Sequence, residues 1–303
     1  MSGPGNVGSA REGTPKGSQS LGAPPPLRLP SRQSPFAKRA ARFWRLAEDN
    51  SSLAGYLALM ADLTDAQHSL WEHFPHTLLP DSYTGGPPLD ISSRHRDPTW
   101  REALRLIAER LDSGSEPLTA LCERIRGAAD EELEHWAARL LSADFEGIDP
   151  GLAPFVAAAL QANWTSSSAR LDLDKFGAME SGHLCPVCGS WPVASVLQTG
   201  GSVQGLRYLC CSLCSTEWNR PRIHCIHCGS GKDVAYFGLE GAGEAVKAEA
   251  CAGCKTYVKL MNREKEPFVD PFADDLATLG LDILMAEQGY ERLGFNPLLI
   301  PGS

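Results

Sequence analysis

The chain has 303 residues, 43% of them apolar and 21% charged, which suits a folded protein and excludes one that is disordered throughout. A formal net charge of −9 removes the electrostatic drive toward polyphosphate, because affinity for nucleic acid comes largely from cationic side chains that release counterions. No apolar run is long enough to span a bilayer, and residues 1–20 hold no apolar stretch of the kind an export signal needs, so the expectation is a cytoplasmic protein without membrane insertion.

Residues 1–35 are rich in Gly, Pro and Ser, with consecutive prolines at Pro24, Pro25 and Pro26, and read as a flexible tail, mobile or wrapped on the surface, that cannot bury enough apolar surface to offset its own ordering. From 36 to 180 the apolar spacing is helical. Leu53, Tyr56, Leu57, Met60, Leu63, Leu70 and Trp71 form one stripe. Trp100, Leu104, Ile107 and Leu111 form another after an Asp97-Pro98 start, and Leu133, Trp136, Ala137, Leu140 and Leu141 a third. Stripes of this kind need partners, which predicts an N-terminal all-α helical bundle. Trp44, Trp71, Trp100, Trp136 and Trp164 are read as packing of that bundle rather than as a ligand box. His68, His73, His76, His95 and His135 show no spacing that makes a ligand set, and Cys122 stands alone.

From Ser181 the texture changes to short β-prone runs between glycines and cysteine pairs. Trp191 to Leu197 and Leu206 to Leu209 flank Gly200-Gly201 as hairpin arms would. Beyond Asn262 helical character returns: Asp270-Pro271 is a plausible start, and Phe272, Leu276, Leu279 and Ile283 predict one C-terminal helix ending near Gly289 within 263–303.

The chemistry lies in four C-x2-C pairs: Cys185 with Cys188, Cys211 with Cys214, Cys225 with Cys228, and Cys251 with Cys254. Twenty-two residues separate the first pair from the second and the third from the fourth, and a shift of forty carries the first set onto the second. The sequence therefore contains an internal duplication, with units at 181–222 and 223–262. Two cysteines three apart in a tight knuckle aim both sulfurs at one ion, and two knuckles complete a tetrahedron. Without an export signal, a reducing compartment favours thiolates over disulfides.

The register sets Cys210 aside, because it aligns with Ala250. Gly189 and Gly229 follow the first knuckle of each unit, where a left-handed backbone is expected. Pairing Cys211 and Cys214 with Cys225 and Cys228 is an alternative, as are redox-active thiol pairs. His183, His224 and His227 are read as outer groups around a complete thiolate set. Modules this short and glycine-rich need their metals to fold, so loss of a pair is expected to unfold its own unit and spare the helical domain. Zinc is the default ion for four thiolates, and iron takes the same cage.

Function can be narrowed by elimination. From Ser181 to Asn262 there are seven basic and five acidic side chains; two dications against eight thiolates turn that +2 into −2, which speaks against a nucleic-acid-binding zinc ribbon. Gly231-Lys232 is followed by Asp233, with Ile226 at the first glycine position, so it is no phosphate loop, and Gly241-Ala-Gly243 lacks the third glycine of a dinucleotide turn. A cage filled by sulfur leaves no place for a metal-bound water, so an enzyme is not expected, whereas rubredoxin-like electron transfer needs no open position.

Several longer stretches carry a resemblance: Ala153-Pro-Phe-Val-Ala-Ala-Ala-Leu160, Cys185-Pro-Val-Cys188-Gly-Ser-Trp-Pro, Gly205-Leu-Arg-Tyr-Leu, Cys211-Ser-Leu-Cys214-Ser-Thr-Glu-Trp218 and Lys247-Ala-Glu-Ala-Cys251. Ala273-Asp-Asp-Leu-Ala and Asn296-Pro-Leu-Leu-Ile-Pro301 extend it. From about Phe36 to its end the chain resembles the formate dehydrogenase accessory protein family, FdhE. That resemblance implies an α+β multidomain protein, a helical bundle followed by tandem rubredoxin-like four-cysteine modules and a C-terminal helix. It also implies a cytoplasmic maturation factor that engages the catalytic subunit of respiratory formate dehydrogenase before export. The eight paired cysteines would hold two tetrathiolate ions, iron by the resemblance and zinc as the alternative. Docking residues and oligomeric state stay open.

Overall fold

A computed structural model describes residues 24–73, 85–93, 96–112, 114–175, 182–199, 205–241 and 243–299. His76, His95, Gly200 and Gly201 lie outside the described residues. Six helices come first: α1 (Phe36–Asp49), α2 (Ala54–Ser69), α3 (Thr99–Leu111), α4 (Glu116–Gly127), α5 (Asp130–Leu141) and α6 (Ala153–Ala169). Then follow β2 (Pro192–Leu197), β3 (Arg207–Cys211), β4 (Glu217–Asn219), β5 (Val234–Phe237), β6 (Val246–Cys251) and β7 (Thr256–Asn262), with α7 (Ala273–Ala277), α8 (Leu279–Glu287) and β8 (Glu291–Arg292) closing the chain. A short β1 (Leu27–Arg28) precedes α1.

The three stripes face a common core. Leu57, Met60 and Leu63 of α2, Trp100, Leu104 and Ile107 of α3, and Leu133 and Ala137 of α5 are all buried. Asp97 accepts the Thr99 amide at 2.9 Å and so starts α3 as its sequence suggests. At the centre runs α6, buried at every position and apolar through its first half, as only an element enclosed on all sides can be. Four of the five tryptophans assigned to packing are buried, but Trp44 is 45% exposed because it sits on the outer side of α1.

The two duplicated units do not stand apart. Their strands form one mixed sheet in the order β1-β4-β3-β2-β7-β6-β5, with β8 also on β7. Within each unit the pairing is antiparallel, and the units meet where β2 runs parallel to β7, Ser195 opposite Leu260 and Leu197 opposite Asn262. Buried Arg207 of β3 crosses this junction to Glu249 of β6 and also donates to the carbonyls of Pro221 (2.6 Å) and His224 (2.9 Å). The two units thus share one sheet and one buried ion pair.

Two segments take a definite form. The described part of the Pro-rich tail, 24–35, is strapped down: β1 pairs with β4, Pro25 accepts from the Tyr208 hydroxyl at 2.9 Å, and Arg32 accepts from the Trp71 indole at 3.1 Å. Borrowed backbone partners do what its own apolar content does not. The C-terminal helix is broken at Thr278, and the changed register turns Ile283 to solvent, 63% exposed, instead of inward.

The C-terminal segment is tied back through buried charge. Asp270 accepts the amides of Phe272 and Ala273 at 2.9 Å and pairs with Arg39 of α1, while Asp274 takes Arg42 of the same helix at 2.6 Å. Asp275 is enclosed by Lys259 of β7 (3.1 Å), Arg292 of β8 (2.7 Å) and Asn296 (3.0 Å). Burial alone would raise its carboxyl, but those cations hold it below the usual carboxylate range. A Cβ at Gly294, whose φ is +82°, would overlap the Pro192 carbonyl, so only glycine lets this segment cross the start of β2.

Candidate metal centres

Each unit builds its cage from the chain outward. A knuckle precedes the first strand, a hairpin follows, and the second knuckle caps the far end of that hairpin, so the pairs far apart in sequence meet. Cys185, Cys188, Cys211 and Cys214 bring their sulfurs within 4.8 Å of one another, and Cys225, Cys228, Cys251 and Cys254 do the same. The alternative pairing across the unit boundary is not the one adopted.

The separations discriminate between bond types. Cys185 and Cys214 sulfurs lie 3.6 Å apart, Cys188 and Cys211 3.4 Å, Cys225 and Cys254 3.6 Å, and Cys228 and Cys251 3.7 Å. A disulfide needs about 2.05 Å. A tetrahedron with metal–sulfur bonds of about 2.3 Å has edges of about 3.8 Å. The donor set and its spacing therefore fit a four-coordinate thiophilic ion.

Left-handed residues close every knuckle. Gly189 and Gly229 have φ of +79° and +75°, and the second knuckles end in Ser215 and Lys255 at +56° and +58°. The bend at the second knuckle of unit one turns two amides onto one sulfur: Leu213 and Cys214 each approach Cys211 Sγ at 3.4 Å. The serine and lysine give no sequence signal for this bend, although their forty-residue spacing repeats that of the glycines.

Surroundings set the thiols apart. Burial pushes Cys185, Cys188 and Cys211 up, since an anion in that apolar pocket loses its hydration. At Cys214 the same burial is outweighed by hydrogen bonds with its three neighbours and with Thr216, which pull it down. Burial pushes Cys225 up to about 12, while at Cys254 hydrogen bonds from Thr256 overcome burial and bring the thiol down to about 6. Four sulfurs so close favour one thiolate among thiols unless a cation offsets the rest.

The first cage is sealed, with its four cysteines between 0% and 1% exposed. From α6, Gln161 donates to the Ser212 carbonyl at 2.7 Å, Thr165 to that of Leu213 at 3.2 Å, and Ser168 shares a 2.8 Å hydrogen bond with Thr216. These three α6 positions, spaced four and three apart, grip the second knuckle. Residues 87–91 cover the first one, with Leu89 N–H on the Val187 carbonyl at 2.8 Å and Ile91 N–H on that of Cys188 at 3.0 Å. In the second cage Cys228 is exposed and Cys254 half-buried. There the second knuckle is held by β8, Glu291 N–H to the Lys255 carbonyl at 2.8 Å.

Other candidates fall outside the cages. Cys210 is buried beside Cys211 but belongs to neither cluster. His183 stacks on Trp191 at 5.1 Å and meets the His227 ring edge at 6.1 Å, and His224 contacts the Arg222 carbonyl at 3.2 Å, so all three surround the sulfurs without joining them. Cys122 is a buried core residue of α4. Among the described residues no helix is long and apolar enough to cross a membrane.

Comparison with known proteins covers nearly the whole chain. Family models described as "FdhE, N-terminal", "FdhE, central domain" and "FdhE, C-terminal domain" match residues 24–179, 184–222 and 223–299. "Protein FdhE homolog" of Cronobacter sakazakii is 41% identical over 288 residues, 92% of each chain. "Protein FdhE" of Salmonella typhimurium is 40% identical over the same length and coverage. The crystal structure of the FdhE protein from Pseudomonas aeruginosa aligns with a TM-score of 0.83 and 36% identity, covering 92% of this chain and 100% of that one.

Proposed function

This chain belongs to the FdhE family, and from that premise we propose that it is an accessory factor for respiratory formate dehydrogenase, engaging that enzyme's catalytic subunit in the cytoplasm before export. The observation that carries the reading is the pair of four-sulfur cages, spaced for a tetrahedral ion, within a chain that matches the family along nearly all its length. Cys185, Cys188, Cys211 and Cys214 hold one ion, and Cys225, Cys228, Cys251 and Cys254 the other. Family resemblance favours iron, and zinc suits the same donors. Bound there, the ion supplies a cross-link between knuckles and, as iron, a one-electron couple.

The protein's own residues fix the surface that the client meets. Gln161, Thr165 and Ser168 lock the first cage onto the helical bundle, and Arg207 and Glu249 lock the second unit onto the first. All four positions around each ion are thiolates, which leaves no site for an activated water and supports a binding role over a catalytic one. Rubredoxin-like electron transfer or redox sensing is the second reading, and the exposure of Cys228 favours it at the second cage, where an electron has a short way to travel.

Anaerobic purification with metal analysis, followed by capture of the formate dehydrogenase catalytic subunit on the immobilised full-length protein, tests the proposal. Two ions per chain and retention of the subunit are expected. Failure of the metal-loaded protein to retain it overturns the accessory reading, and a reversible one-electron signal without client binding moves the balance to electron transfer.

A further inference from the structure

The duplication provides an internal comparison between one covered knuckle and one bare one. In the first unit Val187 and Cys188 present their carbonyls outward, and residues 87–91 occupy them through N–H groups two residues apart, on Leu89 and Ile91. Both side chains pack against the core there. A forty-residue shift carries Val187 to His227 and Cys188 to Cys228. Among the described residues, neither His227 nor Cys228 receives a hydrogen bond at its carbonyl. The glycines report the same contrast: a Cβ on Gly189 would touch Pro87, Asp90 and Ile91, whereas one on Gly229 would meet nothing within 4 Å.

Beside the bare knuckle stands a residue that folding alone gives no reason to place there. Ile223 is 63% exposed and has φ of +70°, a left-handed conformation that a β-branched side chain disfavours. It is held in place because buried Arg207 grips the carbonyls on either side, Pro221 and His224. In the first unit the counterpart, His183, is stacked on Trp191, but the second unit has Gly231 at the position of that tryptophan, and among the described residues Ile223 has no such ring beside it. Strained, outward-facing apolar residues on a rigid support are typical of places where a ligand is clamped.

We propose that the bare 223–229 knuckle is a docking site for a short apolar segment of the client protein, which repeats what residues 87–91 do on the first unit. Its chemistry follows from that template: two backbone N–H donors two residues apart for the His227 and Cys228 carbonyls, with branched apolar side chains that cover Ile223 and the exposed side of the second cage. The chain's own N-terminal 23 residues do not fit, because their only branched apolar residues are Val7 and Leu21, fourteen positions apart. Residues 87–91 are already engaged on the first unit. This inference rests on the accessory reading given above.

The test uses the metal-loaded full chain with a photo-crosslinking amino acid at position 223 or, as a control, at exposed position 44, together with Ile223→Asp, Ile223→Gly and Ile283→Asp. Crosslinking of the catalytic subunit from 223 and not from 44 is expected, through a peptide containing the apolar pattern. Ile223→Asp should weaken capture of the subunit about tenfold or more, the loss expected of a central apolar anchor, while Ile283→Asp leaves it unchanged. Ile223→Gly should raise the melting temperature by relieving the backbone and still weaken capture, a combination that a purely structural role does not produce. Wild-type capture with undiminished binding by Ile223→Asp overturns the docking site and leaves the accessory reading standing. Crosslinking only to a second copy of this chain overturns it as well. Absence of capture by the wild type overturns the accessory reading and the docking site together.

Discussion

The two cages have the same spacing and the same four donors, yet the molecule treats them differently. In the first, α6 and residues 87–91 close over both knuckles, so that cage is part of the protein's main core. In the second, one knuckle is held by β8 and the other faces solvent. Duplicated four-cysteine units thus diverge through what packs on them rather than through the cysteines. The sealed copy is suited to holding the helical and sheet parts together, and the open copy to meeting something outside.

The largest expected effect separates the copies outright. Cys188→Ser should cost most of the fold, read as loss of the helical circular dichroism signal, because a structural tetrathiolate site is worth about 10 to 16 kcal/mol against a total stability of about 5 to 15 kcal/mol. Cys228→Ser should lose one ion and keep the helices. Equal damage from both would remove the distinction. In a chelator competition followed by a chromogenic indicator, the second cage should release its ion at least about tenfold faster than the first, in two resolved phases; a single phase would mean that burial does not govern access. Arg207→Met leaves Glu249 buried without its partner and frees the 221–224 turn, so urea unfolding should show a loss of about 3 to 5 kcal/mol and a less cooperative transition. The smallest change is Thr165→Val, which removes the hydroxyl that joins α6 to the Leu213 carbonyl (3.2 Å) and the Ser215 hydroxyl (3.3 Å) and should cost about 1 kcal/mol.

The cages were legible in the sequence because metal geometry imposes a spacing that no packing requirement imitates. The forty-residue register sorted Cys211 from Cys210 and matched each pair with the partner it meets in space. Helical stripes were legible for the same kind of reason, since a period in sequence becomes a face in space. The contacts between units were not. Arg207 and Glu249 lie on strands of different units, and their forty-shifted counterparts, Lys247 and Leu209, form no equivalent pair, so nothing repeated marks them. Gln161, Thr165 and Ser168 read as ordinary polar residues near the end of an apolar helix until the knuckle is set against them. Thr278 breaks the last helix with no proline and with Gly280 only two residues on, and an unbroken helical period points Ile283 inward. The strand in the strap at 24–35 has no sequence signal, because two residues carry no pattern; its order comes from the edge it lies on.

That strap has a consequence beyond its own two residues. The parallel contact of β2 with β7 joins the front edge of one unit to the back edge of the next, a head-to-tail relation that does not close on itself. Repeated without limit, such a contact builds a fibre rather than a molecule. Here the two ends are blunted: β1 covers the back edge of the first unit at β4, while the front edge of the second, β5, is only four residues long. Leu27 and Arg28 are the terminator of a two-unit polymer, and a chain that began after them would carry the adhesive end of a filament on its surface.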